Sequence, residues 1–247
     1  MRLKSGLNIA VAAGFVISSA ASAGVVTGGE FVLDFDEAAL SGLTSQLNNN
    51  AWWDAAASAD KGEADMRTLP APGAVPDSFT FAVFGSSVPT PPAGLPGRFP
   101  KASTFDYTGD PTTGTGVIGL AGAHVADGSF NGELIFGDYD LRYDASRVGN
   151  AAGGSGWFLT NNISFSSESW DLTNVATTII DGNNFSLSGD VALTAATGGF
   201  LGGAAGTDIG DFSFTATVVP IPAAAWLLGT GLVSLVGVSR RKNAAIA

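Results

Sequence analysis

The sequence predicts an all-β protein, a single β-sandwich of the jelly-roll type with a minor helix near its N-terminus. Between residues 101 and 218, runs of alternating apolar and polar residues are separated by turn signals roughly every eight to twelve residues. Glycine accounts for 34 of the 247 residues, about twice its usual share, as tight turns between short strands require. No cysteine is present, so the predicted fold depends on its apolar core rather than on disulfides.

The first part of the chain predicts two strands and one helix. Residues 30–35 alternate like an opening strand, and residues 36–47 carry apolar side chains at helical spacing, with Asp36 placed as an N-cap. Residues 78–84 form a clear alternating strand. The proline-rich segment 86–100 then predicts a long loop.

The second part of the chain predicts strands alone. The dipeptides Asp127-Gly128 and Asp181-Gly182 are typical of hairpin turns. No helix is expected between residue 101 and the C-terminal segment. The predicted strands lie at about 102–107, 114–125, 128–136, 139–143, 157–166, 170–180, 184–194 and 211–218.

The N-terminal residues 1–23 are typical of a secretory signal peptide. Two basic residues precede an apolar run at 7–17, and small residues including Ala21 and Ala23 form a cleavage site, which makes Gly24 the expected mature N-terminus. An uncleaved anchor is the alternative. The chain is therefore predicted to be exported through the inner membrane of a bacterium.

The C-terminal residues 218–247 predict a membrane-spanning segment. Residues 221–238 carry no charge, and eighteen helical residues span about 27 Å, close to the thickness of a bilayer's hydrocarbon core. Arg240, Arg241 and Lys242 follow, a basic cluster that stays on the cytoplasmic side. Pro220 and Pro222 precede the apolar run and keep the chain extended there.

These features together resemble a known sorting signal. The motif Val219, Pro220, Ile221, Pro222, Ala223, followed by the apolar segment and the basic cluster, resembles a PEP-CTERM-type tail of the Val-Pro-Leu-Pro-Ala variant. The resemblance implies recognition by an exosortase, a membrane-embedded enzyme that cuts near the Pro-x-Pro motif. It also implies an inner-membrane-anchored precursor and a mature form at the cell surface or in the extracellular matrix of a biofilm. A plain single-span anchor is the alternative.

The region between the two terminal segments, residues 24–217, is predicted to form one domain. It holds all 22 acidic residues and 6 of the 11 basic ones, which gives it a net charge of −16. Such acidity repels phosphate backbones, so nucleic acid is excluded as a partner. It fits a soluble extracellular domain, and parts of it loosely resemble the β-rich ectodomains that precede such tails, a resemblance that implies architecture only.

Catalytic residues are not evident, so the protein is not predicted to be an enzyme. His124 is the single histidine and falls within an apolar strand, where a structural role is expected. One histidine without cysteine cannot form a multi-histidine zinc site, and the Gly-x-Ser-x-Gly motif of a nucleophile elbow is absent. Glycoside hydrolysis needs only two carboxylates across a cleft, so a polysaccharide hydrolase stays open as an alternative.

Two kinds of binding site are predicted. Asp138, Asp140 and Asp181 offer the hard oxygen ligands that calcium prefers, although turn chemistry explains them equally well. Trp52 and Trp53 lie in an irregular region and could pack against sugar rings. We therefore predict a structural or binding protein associated with exopolysaccharide, with a dedicated carbohydrate-binding module as the alternative.

Overall fold

The computed structural model describes residues 23–220 apart from 90–92, 131, 151–152 and 182–183. The signal segment up to Ala21, the residues from Ile221 onward with Pro222 and Ala223, and the basic cluster lie outside the described residues. The described residues include three short α-helices, α1 (Glu37–Gly42), α2 (Glu63–Thr68) and α3 (Ala195–Leu201). In the part of the chain described, no helix is both long enough and apolar enough to cross a membrane.

Twelve strands make up about half of the described chain. They are β1 (Ala23–Phe35), β2 (Asn48–Trp53), β3 (Phe79–Val83), β4 (Asp106–Thr108), β5 (Ile118–Ala121), β6 (Ala123–Asp127), β7 (Leu134–Gly137), β8 (Asp140–Tyr143), β9 (Gly154–Ile163), β10 (Phe165–Asp181), β11 (Asn184–Leu193) and β12 (Asp208–Pro220).

The main sheet closes on itself. Its strand order is β12-β11-β10-β9-β8-β5-β3-β1-β4, and β1 also pairs with β12 along the whole of its length, from Gly24 opposite Pro220 to Phe35 opposite Gly210. All these pairs are antiparallel. The result is a closed, barrel-like sheet of eight strands, with β4 added beside the first residues of β1.

A smaller sheet packs beside this barrel. It has the order β2-β6-β7, and the chain passes into it from the main sheet at Gly122, between β5 and β6. Gly122 has a φ of +133°, and a Cβ there would lie 3.0 Å from the Trp52 ring. The turn between the sheets therefore needs glycine.

Every second side chain along the barrel strands points inward, and these side chains fill the interior. Along β12, Phe212, Phe214, Ala216 and Val218 are buried, and the residues between them are exposed. Phe31 of β1 stacks on Phe212 with ring centroids 5.5 Å apart. The inward residues of the first and last strands thus share one core, which stabilises their pairing.

The all-β class predicted from the sequence is confirmed, but the jelly-roll sandwich is not the arrangement found. A sandwich keeps two stacked sheets with free edges, whereas the pairing of β1 with β12 removes the edges of the main sheet. The predicted strand 114–125 is two strands that belong to different sheets. The final strand continues through Val219 to Pro220, past the predicted domain boundary at residue 217.

Some of the predicted turns and helices are found in the structure and others are not. Asp36 caps α1 by accepting hydrogen bonds from the backbone N–H groups of Ala38 and Ala39, as predicted. The hairpin predicted at Asp181-Gly182 is confirmed, because β10 and β11 are antiparallel neighbours. The prediction of a tight turn at Asp127-Gly128 is wrong, since β7 begins only at Leu134. The helix α3 lies in a region where no helix was expected.

Candidate functional site

The barrel has two ends that differ in chemistry. At one end β1 begins, β12 stops at Pro220 and the β10–β11 hairpin turns; we call this the exit pole. At the other end β10 begins at Phe165 and β11 runs into α3; we call this the cleft pole. Because β10 is a single strand of 17 residues, it connects the two poles directly.

A cleft of about 320 Å³ lies at the cleft pole. Its apolar base comes from β7, and its rim from the first residues of β10, from α3 and from α2. Phe165 is 53% exposed and Phe200 is 63% exposed, which is unusual for phenylalanine. The described lining residues are Arg67, Leu134, Ile135, Phe136, Ser164, Phe165, Ser167, Glu168, Ser169, Ala196, Thr197 and Phe200.

Local hydrogen bonds hold α3 beside the cleft. Thr194 is the N-cap of α3 and accepts from the backbone N–H of Thr197 at 3.1 Å, while its own hydroxyl donates to the carbonyl oxygen of Glu168 at 3.1 Å. The helix ends at Gly202, whose left-handed conformation suits glycine. Phe200 in the last turn of α3 packs against Phe130, with centroids 6.2 Å apart.

The charged groups at the rim are already paired. Arg67 donates to Glu63 Oε1 at 2.8 Å and also to the carbonyl oxygen of Glu133. Burial raises the pKa of Glu63, but hydrogen bonds from Ser164 and Arg67 outweigh this effect and leave that pKa below its usual value. Glu168 forms an ion pair with Arg147 at 2.5 Å. With its ions paired and its base apolar, the cleft favours an uncharged ligand with an apolar face.

Two of the acids predicted to bind calcium are buried against arginines. Asp138 accepts from Arg98 Nε at 2.7 Å, and both side chains are fully buried. Burial raises the pKa of Asp138, and the Arg98 guanidinium opposes that rise. Asp140 is also buried and pairs with Arg142 and Asn162. Their carboxylates therefore already have cationic or amide partners.

The third predicted calcium ligand is remote from the first two. Asp140 lies opposite Thr160 of β9, which lies opposite Glu168 of β10. Asp181 lies thirteen residues beyond Glu168 along β10, which places it up to about 40 Å from Glu168 at the usual rise of a strand. Among the described residues, no group of three or more histidine, cysteine or acidic side chains could hold a metal ion.

The tryptophans predicted to contact glycan do not form an exposed platform. Trp53 is buried in a second core cluster with Met66 and Ile135, so its prediction as a surface residue is wrong. Trp52 is half-buried over Phe79 and Phe81, with ring centroids 5.1 and 4.9 Å away. The cause is β2, a strand that the sequence did not predict: its two faces point Trp52 toward the main sheet and Trp53 into the second cluster.

His124 belongs to a hydrogen-bond chain that runs from the core to the half-buried Asn49. Trp170 Nε1–H donates to the Tyr139 hydroxyl at 2.9 Å, and that hydroxyl donates to His124 Nε2 at 2.9 Å. The Nδ1–H of His124 donates to Asn49 Oδ1 at 2.8 Å. This chain requires the neutral ring, and burial lowers the pKa of His124 to about 3. The structural role predicted for His124 agrees with this environment.

Comparison with known proteins adds little to this picture. No protein-family model matches the chain, and no curated protein matches it. Among solved structures, the chain is similar to the C-terminal domain of HtaA from Corynebacterium glutamicum. The TM-score is 0.40 at 14% identity, over 80% of this chain and 100% of that one. A likeness at this level assigns neither a fold family nor a ligand.

Proposed function

We propose that the chain is an exported protein that is anchored to the membrane by its C-terminal segment and then trimmed by an exosortase. The observation that carries the proposal is the pairing of Gly24 with Pro220 at the exit pole. These residues adjoin the predicted signal peptide and the predicted apolar segment. Both predicted segments therefore attach at one end of the β domain, which suits a domain displayed from a membrane.

The position of the cleft supports the same arrangement. It lies at the start of β10, whereas the proposed membrane segment would continue from β12 at the exit pole, where β10 ends. A cleft on the far end would face away from the cell and be available to matrix components. The acidic domain, with its net charge of −16, would remain soluble there.

The proline motif offers a direct test of processing. We expect the double variant Pro220→Ala/Pro222→Ala to be trimmed at least about tenfold more slowly, which corresponds to a loss of about 1.4 kcal/mol in recognition. Alanine would allow the proposed membrane helix to begin nearer the domain and would remove the extended segment that a protease grips. The ratio of precursor to mature protein in cell fractions measures this.

A matched control exists in the exposed connector before β3. Pro70→Ala changes an exposed proline outside the motif and should leave trimming unchanged. Equal trimming of the double variant and the wild type would contradict recognition of the Pro-x-Pro motif.

A second function, binding of an uncharged saccharide surface, is favoured by the two exposed phenylalanines at the cleft. The apolar face of a sugar ring packs on aromatic rings, and such contacts contribute about 0.5–1.5 kcal/mol each. Glu168 is the single carboxylate among the described lining residues, so the paired carboxylates of a glycosidase are not found in that set. We therefore place the exopolysaccharide proposal on binding rather than on hydrolysis.

Titration of exopolysaccharide fragments onto the protein tests this second proposal. Phe165→Ala and Phe200→Ala are each expected to weaken binding by about 2- to 12-fold, the range that the aromatic contact energy implies. Phe99→Ala removes a phenylalanine that is 49% exposed but does not line the cleft, and it should bind like the wild type. Absence of saccharide binding by the wild type would exclude the proposal.

A further inference from the structure

The exit pole carries a cluster of exposed aliphatic side chains. Ile179 is 47% exposed and Ile180 is 53% exposed, both near the end of β10, and Val219 at the end of β12 is 54% exposed. We call residues 179–181 together with 184 the hairpin tip. As successive strand residues, Ile179 and Ile180 project from opposite faces of the hairpin, so a medium that surrounds the hairpin can contact both.

This part of β10 extends beyond its neighbour. The last pair between β10 and β9 joins Thr173 to Gly154, whereas pairing with β11 continues to the hairpin. Residues 176–180 are all exposed, and no described strand pairs with their other edge. The segment 175–180 has no charged residue and no proline, and its edge protection comes from the register shifts at its two ends.

The hairpin tip is fixed beside the point where the chain leaves the domain. The backbone N–H of Val218 donates to Asn184 Oδ1 at 2.8 Å, which ties the tip to β12. β12 runs to Pro220, and the uncharged run begins at the next residue, Ile221. No spacer separates the two, so a spanning segment would hold the hairpin tip at the membrane surface.

We propose that the hairpin tip lies in the headgroup region of a lipid bilayer, with Ile179 and Ile180 in contact with lipid. This inference rests on the proposed membrane segment. The lipid is neutral or zwitterionic, because Asp181 belongs to the hairpin tip itself. Asp106 and Asp110 also lie at or next to β4, which pairs with the first residues of β1 at this pole. Anionic lipid would be repelled by such carboxylates.

The contact would set the orientation of the whole domain. From Ile180 to Phe165, β10 covers fifteen residues, or up to about 50 Å at the usual strand rise. The hairpin tip in the headgroups would therefore hold the cleft far from the bilayer. A rigid stand-off of this kind needs both the chain connection and the tip contact, since a single connection leaves the domain free to pivot.

The absence of native cysteine allows a clean labelling experiment. The full chain is reconstituted in phosphatidylcholine vesicles as Ile180→Cys or Phe165→Cys, each labelled with an environment-sensitive fluorophore. The two positions are equally exposed and lie at opposite ends of one strand. We expect the label at 180 to be quenched by a nitroxide on the lipid and protected from aqueous iodide, and the label at 165 to show the reverse.

Each outcome of this experiment decides between the two proposals. If the full chain does not float with the vesicles, the membrane segment is wrong and the inference falls with it. If it floats but iodide reaches both labels equally, the membrane segment stands and the lipid contact of the hairpin tip is overturned. In a parallel sample, Ile180→Cys carries a nitroxide in place of the fluorophore; if these labels broaden each other's spectra, the edge of β10 pairs with a second copy instead, which also overturns the lipid contact.

Discussion

Replacing Asp138 with asparagine is expected to lower the free energy of unfolding by about 3–5 kcal/mol, because it leaves the Arg98 guanidinium charged and unpaired in the interior. Both partners are fully buried. Arg98 also donates to the carbonyl oxygens of Ser58 and Lys61, so the same guanidinium connects the irregular segment 58–61 to the turn between β7 and β8. Urea unfolding at neutral pH measures the loss.

Two controls separate the buried charge from other effects. The double variant Arg98→Met/Asp138→Leu removes both charges and should recover most of the stability that Asp138→Asn loses, since apolar replacements of buried pairs are often neutral or stabilising. Asp60→Asn breaks the exposed pair with Lys61 and should leave the unfolding midpoint unchanged. An Asp138→Asn variant as stable as the wild type would show that the pair is not formed.

Acidification from pH 7 to pH 5 is expected to reduce the free energy of unfolding by about 2 kcal/mol through His124 alone. The folded-state pKa of about 3 is below the unfolded value of 6.5, so the unfolded chain binds the extra proton first. The contribution of His124 is complete above pH 6.5 and is lost as the pH falls toward 3. Below pH 6.5 the slope is about 1.4 kcal/mol per pH unit.

The variant His124→Gln isolates this titration from that of the carboxyl groups. Glutamine can donate toward Asn49 and accept from Tyr139, but it takes up no proton. The difference in unfolding free energy between wild type and variant should therefore shrink between pH 7 and pH 5. Identical pH dependence of the two proteins would contradict the buried neutral histidine.

Local patterns in the sequence predicted the strands well where one face is buried. β12 and β3 alternate, so their existence and their inward residues follow from the side-chain period of two. The closure of the sheet could not be predicted in this way. It depends on the pairing of the first strand with the last, and nothing in the local pattern of either strand identifies its partner.

Long-range partners also explain why the site predictions were incomplete. Asp138 reads as a metal ligand until Arg98, forty residues earlier, is placed against it. Phe165 and Phe200 are ordinary apolar residues in sequence, and only the packing of α3 beside the start of β10 brings them to one cleft. Trp53 looked exposed because its strand, β2, has the weakly β-forming residues Asn48, Asn49 and Asn50 at its start.

The intact mass of the protein recovered from the cell surface tests the account most directly. The proposal of export, anchoring and trimming predicts a chain that begins at Gly24 and ends within the motif between Val219 and Ala223, with or without an attached group. A surface protein whose mass still includes residues 221–247, in cells with an active exosortase, would contradict it.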